Sequence, residues 1–208
     1  MQPQPPSAEH SAEARVFRAA LRREKLAARM ALDPPAHAAL AARVEAHLAA
    51  LLRPLAPQTL AFCAPVRGEF DVQPLASLLL ERGWQAAMPV VVATDAPMTF
   101  RRWSPSCAMD RDRYGIPIPR AGETLIPDIV LLPLLAFDPQ GFRLGYGGGY
   151  FDRTLAAMVP RPRAIGIGFE LGRVPDIRPE AHDIRLDAIV TEAGVARPAL
   201  PNQPVISQ

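Results

Sequence analysis

Residues 128–155 read DIVLLPLLAFDPQGFRLGYGGGYFDRTL. The stretch opens on an apolar run, Ile129 to Leu132, closed by Pro133. A run that short, bounded by proline, reads as a buried strand. Phe137 to Gly141 reads as a turn, because Asp138, Pro139 and Gly141 each favour one. Arg143 to Asp152 follows, and four of these residues are glycine. With so many glycines the backbone can take positive φ and approach a ligand with no Cβ in the way. From about Gly149 a helical pattern runs on, with Tyr150, Leu155 and Met158 as its expected buried positions.

Strand, glycine-rich loop and helix together present free backbone N–H groups and a helix N-terminus to an anion. Arg143 precedes the loop and can grip phosphate oxygens in a bidentate fork. Asp152 ends the loop, where a carboxylate can hold Mg²⁺ against nucleotide phosphates. The stretch lacks the Gly-Lys-Ser/Thr ending of a P-loop, and its glycines are not spaced as in the dinucleotide fingerprint. On these residues alone two readings stand. One is a phosphate or nucleotide site; the other is a tight structural turn in which Asp152 supports a helix start.

Outward from this stretch, short apolar runs alternate with amphipathic segments from about residue 59 to 192. Strands are expected at Thr59–Ala64, Gln85–Val92, Met98–Trp103, Ala164–Phe169 and Leu186–Glu192, with Asp71 capping a helix that ends near Arg82. Such alternation predicts an α/β fold: a single domain with a mostly parallel open sheet and helices on both faces. Two N-terminal helices, about Ala12–Ala31 and Pro35–Arg53, are expected to pack on it, separated by Asp33-Pro34-Pro35, with Asp33 as N-cap. The first helix carries Arg15, Arg18, Arg22, Lys25 and Arg29 on one face, which by itself reads as a solvated surface. His37 and His47 are expected at the surface. Residues 1–10 are expected to be disordered, 11–195 to form the domain, and the Pro-rich residues 196–208 a flexible tail.

The 208 residues carry a net charge of +2, which gives no reason to expect nucleic-acid binding. Cys63 and Cys107 have no metal-ligand spacing and read as two reduced thiols. No apolar run approaches the roughly 20 residues that span a bilayer, and the N-terminus has no signal-peptide pattern. The expectation is a cytoplasmic protein, monomeric, with no membrane or nucleic-acid partner.

Ala136-Phe137-Asp138, Gly141 and the run from Arg143 to Arg153 resemble the signature of the 5-formyltetrahydrofolate cyclo-ligase (methenyltetrahydrofolate synthetase) family. Weaker matches extend the resemblance from about Phe17 to Glu192. It implies an ATP- and Mg²⁺-dependent ligase that converts 5-formyltetrahydrofolate to 5,10-methenyltetrahydrofolate, releasing ADP and phosphate. It also implies roles for residues. ATP is expected to meet Arg18, Arg22, Arg143, Leu144, Gly145, Tyr146, Gly147, Gly148, Gly149, Tyr150 and Phe151, with Arg143 as the catalytic cation. Arg18 stands where the family has lysine. The reduced folate is expected at Ala64, Glu69, Trp103, Tyr114, Tyr146 and Tyr150. Asp152 and Asp187 are expected to flank one Mg²⁺. His182-Asp183 looks like a catalytic pair, but no nucleophile motif precedes it, so it reads as a structural or ligand-orienting loop.

The substrate accounts for this inventory. Ring closure requires the formyl oxygen to leave, and oxide is a hopeless leaving group at neutral pH. Phosphorylating that oxygen makes the leaving group phosphate. The task then is to cradle phosphates, neutralise charge and hold the formyl oxygen near the γ-phosphorus, with no protein nucleophile. Two other readings use the same loop: a nucleotide-binding regulator that has lost turnover, and a sugar-phosphate isomerase that needs no ATP.

Overall fold

The structure, a computed structural model, describes residues 8–198. In chain order the elements are α1 (Ala8–Met30), α2 (Pro34–Leu52), β1 (Thr59–Ala61), α3 (Gln73–Glu81), β2 (Gln85–Val90), β3 (Thr99–Arg102), β4 (Met109–Arg111), β5 (Pro117–Pro119), β6 (Thr124–Leu125), β7 (Ile129–Pro133), β8 (Ala136–Phe137), β9 (Arg143–Leu144), α4 (Tyr150–Ala157), β10 (Arg163–Ile167), β11 (Ala188–Thr191) and β12 (Gly194–Ala196). The first seven residues of the expected disordered N-terminus, and the tail beyond residue 198, lie outside the described residues. Helix α1 starts at Ala8, earlier than its expected start at Ala12.

One sheet has the order β12-β11-β10-β7-β1-β2-β3-β6. Strands β11, β10, β7, β1 and β2 are mutually parallel, and β12, β3 and β6 add to the edges antiparallel. The apolar run that opened the reading is β7, paired on one side with β1 and on the other with β10. Both its faces are covered, which is why it contains no alternating polar residues. On one face Leu131, Phe62 and Met88 pack against Val44, Leu48 and Leu52 of α2 and Leu75 and Leu79 of α3. On the other, Val130, Leu132 and Ile189 pack with Leu155 of α4. Helix α2 begins where Asp33 predicts, the carboxylate accepting the Ala36 N–H at 2.7 Å; such a cap is worth about 1 kcal/mol.

Several expectations change. Helix α1 packs through Phe17 and Leu21 with Ala136 and Leu144 of the β8–β9 hairpin. The N-cap of α3 is Val72, and Asp71 instead accepts the Gln73 N–H as part of the preceding turn. Strand β12 falls where the flexible tail was expected to begin. His37 and His47 are half-buried: a His37 ring nitrogen lies 3.0 Å from the Gly68 carbonyl oxygen, and His47 Nδ1 lies 2.9 Å from that of Thr191.

Trp103 is the clearest correction. It is 4 % exposed and stacks edge-on against Phe62 inside the α2–α3 core, with ring centroids 5.1 Å apart. A side chain this deep is packing surface rather than the wall of a folate pocket. Trp103→Phe should therefore lower stability by about 1–2 kcal/mol, read as a shift in Tm, and leave the KM for folate unchanged. A raised KM at constant Tm would return Trp103 to the binding site.

Candidate functional site

Among the parallel strands the chain runs from β1 to β2 on one side and then returns to β7 on the other. The strand order thus reverses between β1 and β7. Loops leaving the carboxyl ends of such a strand pair diverge and open a crevice, the usual ligand position in open α/β sheets. Here the β1 loop carries Ala64 and Glu69, and the chain after β7 carries the hairpin and the glycine loop.

The glycine loop is built as the sequence implies. Gly147 has φ +96° and Gly149 has φ +64°, conformations that side chains rarely adopt. Gly149 is the residue from which α4 starts. The backbone N–H groups of residues 145–149 donate to no acceptor among the described residues. They are a row of donors without protein partners, next to a helix N-terminus. Arg22 of α1 reaches this loop, its Nε donating to the Gly145 carbonyl at 2.9 Å and its guanidinium lying over Gly147. Burial and the neighbouring Arg18 push the Arg22 pKa down, the setting of a cation in want of an anion.

Arg18 differs from Arg22. Its guanidinium forks onto Asp183 at 2.6 and 3.1 Å, and both side chains are buried. Burial pushes the Asp183 carboxyl up, but hydrogen bonds from Arg18 and from the Glu180 N–H outweigh it and hold it below the usual range. Asp183 therefore belongs to a loop-orienting ion pair and not to a catalytic dyad.

Arg143 is committed to the protein as well. Nη1 donates to the Ile184 carbonyl at 3.0 Å, and Nη2 lies 3.1 Å from Asp152 Oδ1. Asp152 Oδ1 also accepts the Ile184 N–H at 2.9 Å. Arg143 thus fixes the carboxylate at the start of α4 and does not itself extend over the glycines. Asp187 sits immediately before β11. Its Oδ2 accepts the Ala164 N–H at 2.7 Å and its Oδ1 takes Arg161 Nη2 at 2.5 Å. The Asp187 N–H in turn donates to the Ala164 carbonyl. Asp128 does the same one strand pair away, clamping Thr59 before β7. Asp152 and Asp187 are thus engaged by different arginines, and among the described residues no bond or common partner joins them. Among the described residues no group of three or more His, Cys, Asp and Glu side chains is arranged to hold a metal ion.

Glu69 is buried. Arg67 (φ +50°) and Gly68 (φ +73°) turn the β1 loop so that Glu69 Oε2 accepts the Val66 N–H at 3.0 Å. Its Oε1 accepts the Tyr146 phenol at 2.9 Å. Burial raises the Glu69 pKa, opposed by the Val66 N–H, Arg29 and Tyr146; the same surroundings push Tyr146 up to about 12. A cavity of about 20 Å³ lies beside Glu69, among Cys63, Phe70, Leu131 and Ile167, room for about one water. Ala64 is buried in the core at the root of this loop. Both cysteines are free, and burial pushes the Cys63 thiol well up.

Tyr150 is not a buried helix position. Its phenol lies 2.7 Å from that of Tyr114, which is 56 % exposed, and Arg153 and Arg113 lie over the two rings. The pair forms an aromatic edge beside the glycine loop. Leu144 is core, while Phe151 of α4 is half-buried against the cluster that contains Val130 and Leu132. Sequence reasoning missed Arg29, which it left on a solvated face. Its guanidinium is buried and bonds to Arg67, Leu134 and Tyr146. The spacing of basic residues on α1 was the available signal, but spacing does not tell which of them turns inward.

The model of the 5-formyltetrahydrofolate cyclo-ligase family matches residues 14–192. The 5-formyltetrahydrofolate cyclo-ligase of Escherichia coli K12 is 33 % identical over 135 residues, covering 62 % of this chain and 74 % of the relative. That of Mycoplasma pneumoniae is 27 % identical over 177 residues, covering 83 % and 97 %. The solution structure of Aquifex aeolicus 5,10-methenyltetrahydrofolate synthetase superposes with a TM-score of 0.77 at 27 % identity, covering 92 % of this chain and 97 % of the other. The match spans both the glycine loop and the Glu69 loop on either side of the strand-order reversal. The chain belongs to the 5-formyltetrahydrofolate cyclo-ligase family.

Proposed function

We propose that the protein catalyses the reaction for which its family is named, the ATP-dependent closure of 5-formyltetrahydrofolate to 5,10-methenyltetrahydrofolate. One observation carries this reading: the N–H groups of residues 145–149, which have no acceptor among the described residues, lie in a loop with two left-handed glycines whose Tyr146 bonds to Glu69. In this reading the loop N–H groups and Arg22 receive the ATP phosphates. Glu69, through its carboxylate, and Tyr114 and Tyr150, through their rings, receive the reduced folate. Glu69 Oε1 now accepts the Tyr146 phenol, so a folate that takes this oxygen displaces Tyr146 from it.

The formyl oxygen attacks the γ-phosphorus and ADP departs. The bridge nitrogen then attacks the formyl carbon, loses its proton, and phosphate leaves. The chain's contribution is to align the two substrates and to balance charge on the transferring group. Arg22 serves as the phosphate cation. Arg143 serves indirectly, by holding Asp152. Arg18 reaches phosphate only by exchanging Asp183 for it. Mg²⁺ fits Asp152, whose Oδ2 has no protein partner among the described residues. A single carboxylate suits an ion that relies on waters and substrate phosphates, and when bound it would neutralise charge on them. Asp187 has both oxygens engaged in the strand clamp, which does not support the expectation of a shared ion.

Formation of methenyltetrahydrofolate, followed by its near-ultraviolet absorbance with and without ATP, tests the activity. Product only with ATP is expected. ATP binding without turnover would favour the regulator, and ATP-independent turnover on a sugar phosphate the isomerase. Asp152→Asn should raise the Mg²⁺ concentration for half-maximal activity at least fivefold, with little change in Tm. Asp187→Asn should lower Tm and leave the Mg²⁺ requirement alone; a raised requirement there would reinstate Asp187 as a metal ligand. A cytoplasmic, monomeric enzyme is part of the same proposal, and sedimentation at one chain's mass would support it. Among the described residues no helix is long and apolar enough to cross a membrane.

A further inference from the structure

Arg29 has no part in the reaction as described above, yet each of its three nitrogens serves a different segment of the site. Nε donates to the Arg67 carbonyl on the β1 loop at 3.0 Å, and Nη1 to the Leu134 carbonyl just after β7 at 3.2 Å. Nη2 donates to the Tyr146 phenol at 2.6 Å and lies 3.8 Å from Glu69 Oε1. The side chain is only 4 % exposed, and each of its three nitrogens already donates to the protein, so it is placed to orient groups rather than to touch substrate.

We infer that Arg29 is a positioning residue that couples the folate and ATP halves of the site through Tyr146; this rests on the assignment of Glu69 to folate and of the glycine loop to ATP. Guanidinium can only donate. With Arg29 donating to the phenol oxygen, the phenol proton is left to point at Glu69, and that bond is present at 2.9 Å. Tyr146 lies within the glycine loop, between Gly145 and Gly147. Its bond to Glu69 therefore holds the loop toward the β1 loop while Glu69 is otherwise unoccupied. A folate that takes Glu69 Oε1 removes the phenol's acceptor and releases the loop to close on phosphates. Each substrate then favours the binding of the other, and by linkage the factor is the same in both directions.

Calorimetric titration of a non-hydrolysable ATP analogue, with and without saturating 5-formyltetrahydrofolate, measures that factor. The wild type should bind the analogue at least fivefold more tightly when folate is present, the lower end of usual coupling. Arg29→Lys, which keeps a charge but not the fork, and Tyr146→Phe, which removes only the phenol oxygen, should each reduce the factor below twofold. The double variant should fall no further than either single one, since all act on one bond. Arg29→Gln replaces Arg29→Lys if the latter does not fold, and Tyr146→Phe alters a 43 % exposed residue, so it carries the test by itself. Coupling retained in these variants, additive losses, or no coupling in the wild type would each overturn the inference. If neither ligand binds the wild type, the functional assignment falls with it. If both bind and only the coupling is unaffected, the functional assignment stands and the role of Arg29 does not.

Discussion

Arg143→Ala is expected to lower turnover by at least two orders of magnitude and to lower Tm as well. The guanidinium is almost wholly buried, with 5 % of the side chain exposed, and bridges the Ile184 carbonyl and Asp152. Removing it leaves an uncompensated carboxylate at a largely buried position, and breaking such a pair from one side costs about 3–5 kcal/mol. Part of that cost appears as lost stability. The catalytic part follows because Asp152 is the proposed Mg²⁺ carboxylate. Once unheld, it no longer presents its free oxygen where the transferring phosphoryl group develops charge. Losing about 3 kcal/mol of transition-state stabilisation corresponds to a little over a hundredfold in rate. Arg143→Lys should fall between, because one ammonium keeps the charge but does not span both acceptors. The measurement is kcat in the absorbance assay, at a temperature where the variant is folded. Near wild-type turnover would remove Arg143 from the mechanism.

The second large effect belongs to the loop glycines. A β-branched side chain at φ +96° or +64° is a backbone outlier, and holding one there costs about 1–3 kcal/mol. At Gly149 a Cβ would come within 2.9 Å of Arg153 Nη1, the far end of a side chain that can swing away. Strain rather than collision is therefore the cost there. At Gly147 the Cβ would sit 3.5 Å from Arg22 Cζ, so valine also pushes on the proposed phosphate cation. We expect Gly147→Val and Gly149→Val to weaken ATP binding about tenfold, in line with a strain of about 1.4 kcal/mol, and folate binding by much less. Separate titrations with each ligand check this. Equal loss of both ligands, with a fall in Tm, would mean that the glycines serve only a tight turn.

How far the chain could be read without its structure depends on the range of the interaction. Strand β7 was legible because a parallel strand covered on both faces must be apolar throughout, and a proline ends it. The glycine loop was legible because positive φ and an exposed backbone are local demands met by one residue type. The cap at Asp33 was legible for the same reason: its bond reaches three residues. Even the alternation of runs that predicts a parallel sheet is a local pattern repeated along the chain. The neighbour of β1 across the reversal was not legible, since β7 lies some seventy residues away in sequence.

Sequence alone thus determined the α/β class, the glycine-rich loop, and the family signature from Ala136 to Arg153. The tertiary structure decided what the long side chains do. Arg18 meets Asp183 across 165 positions, Arg29 meets Tyr146 across 117, and Arg143 meets Ile184 across 41. An arginine on a helix looks the same in sequence whether it faces water or a buried phenol, because hydrophobic period records the backbone's face and not the reach of a six-atom stem. Trp103 shows the converse: an aromatic residue fits a ligand wall or a core equally well, and only packing against Phe62 selects the core. Asp187 took its place as a strand clamp because the register of β11 on β10 sets its carboxylate against the Ala164 N–H. Register is a property of two strands together, and neither strand's sequence contains it.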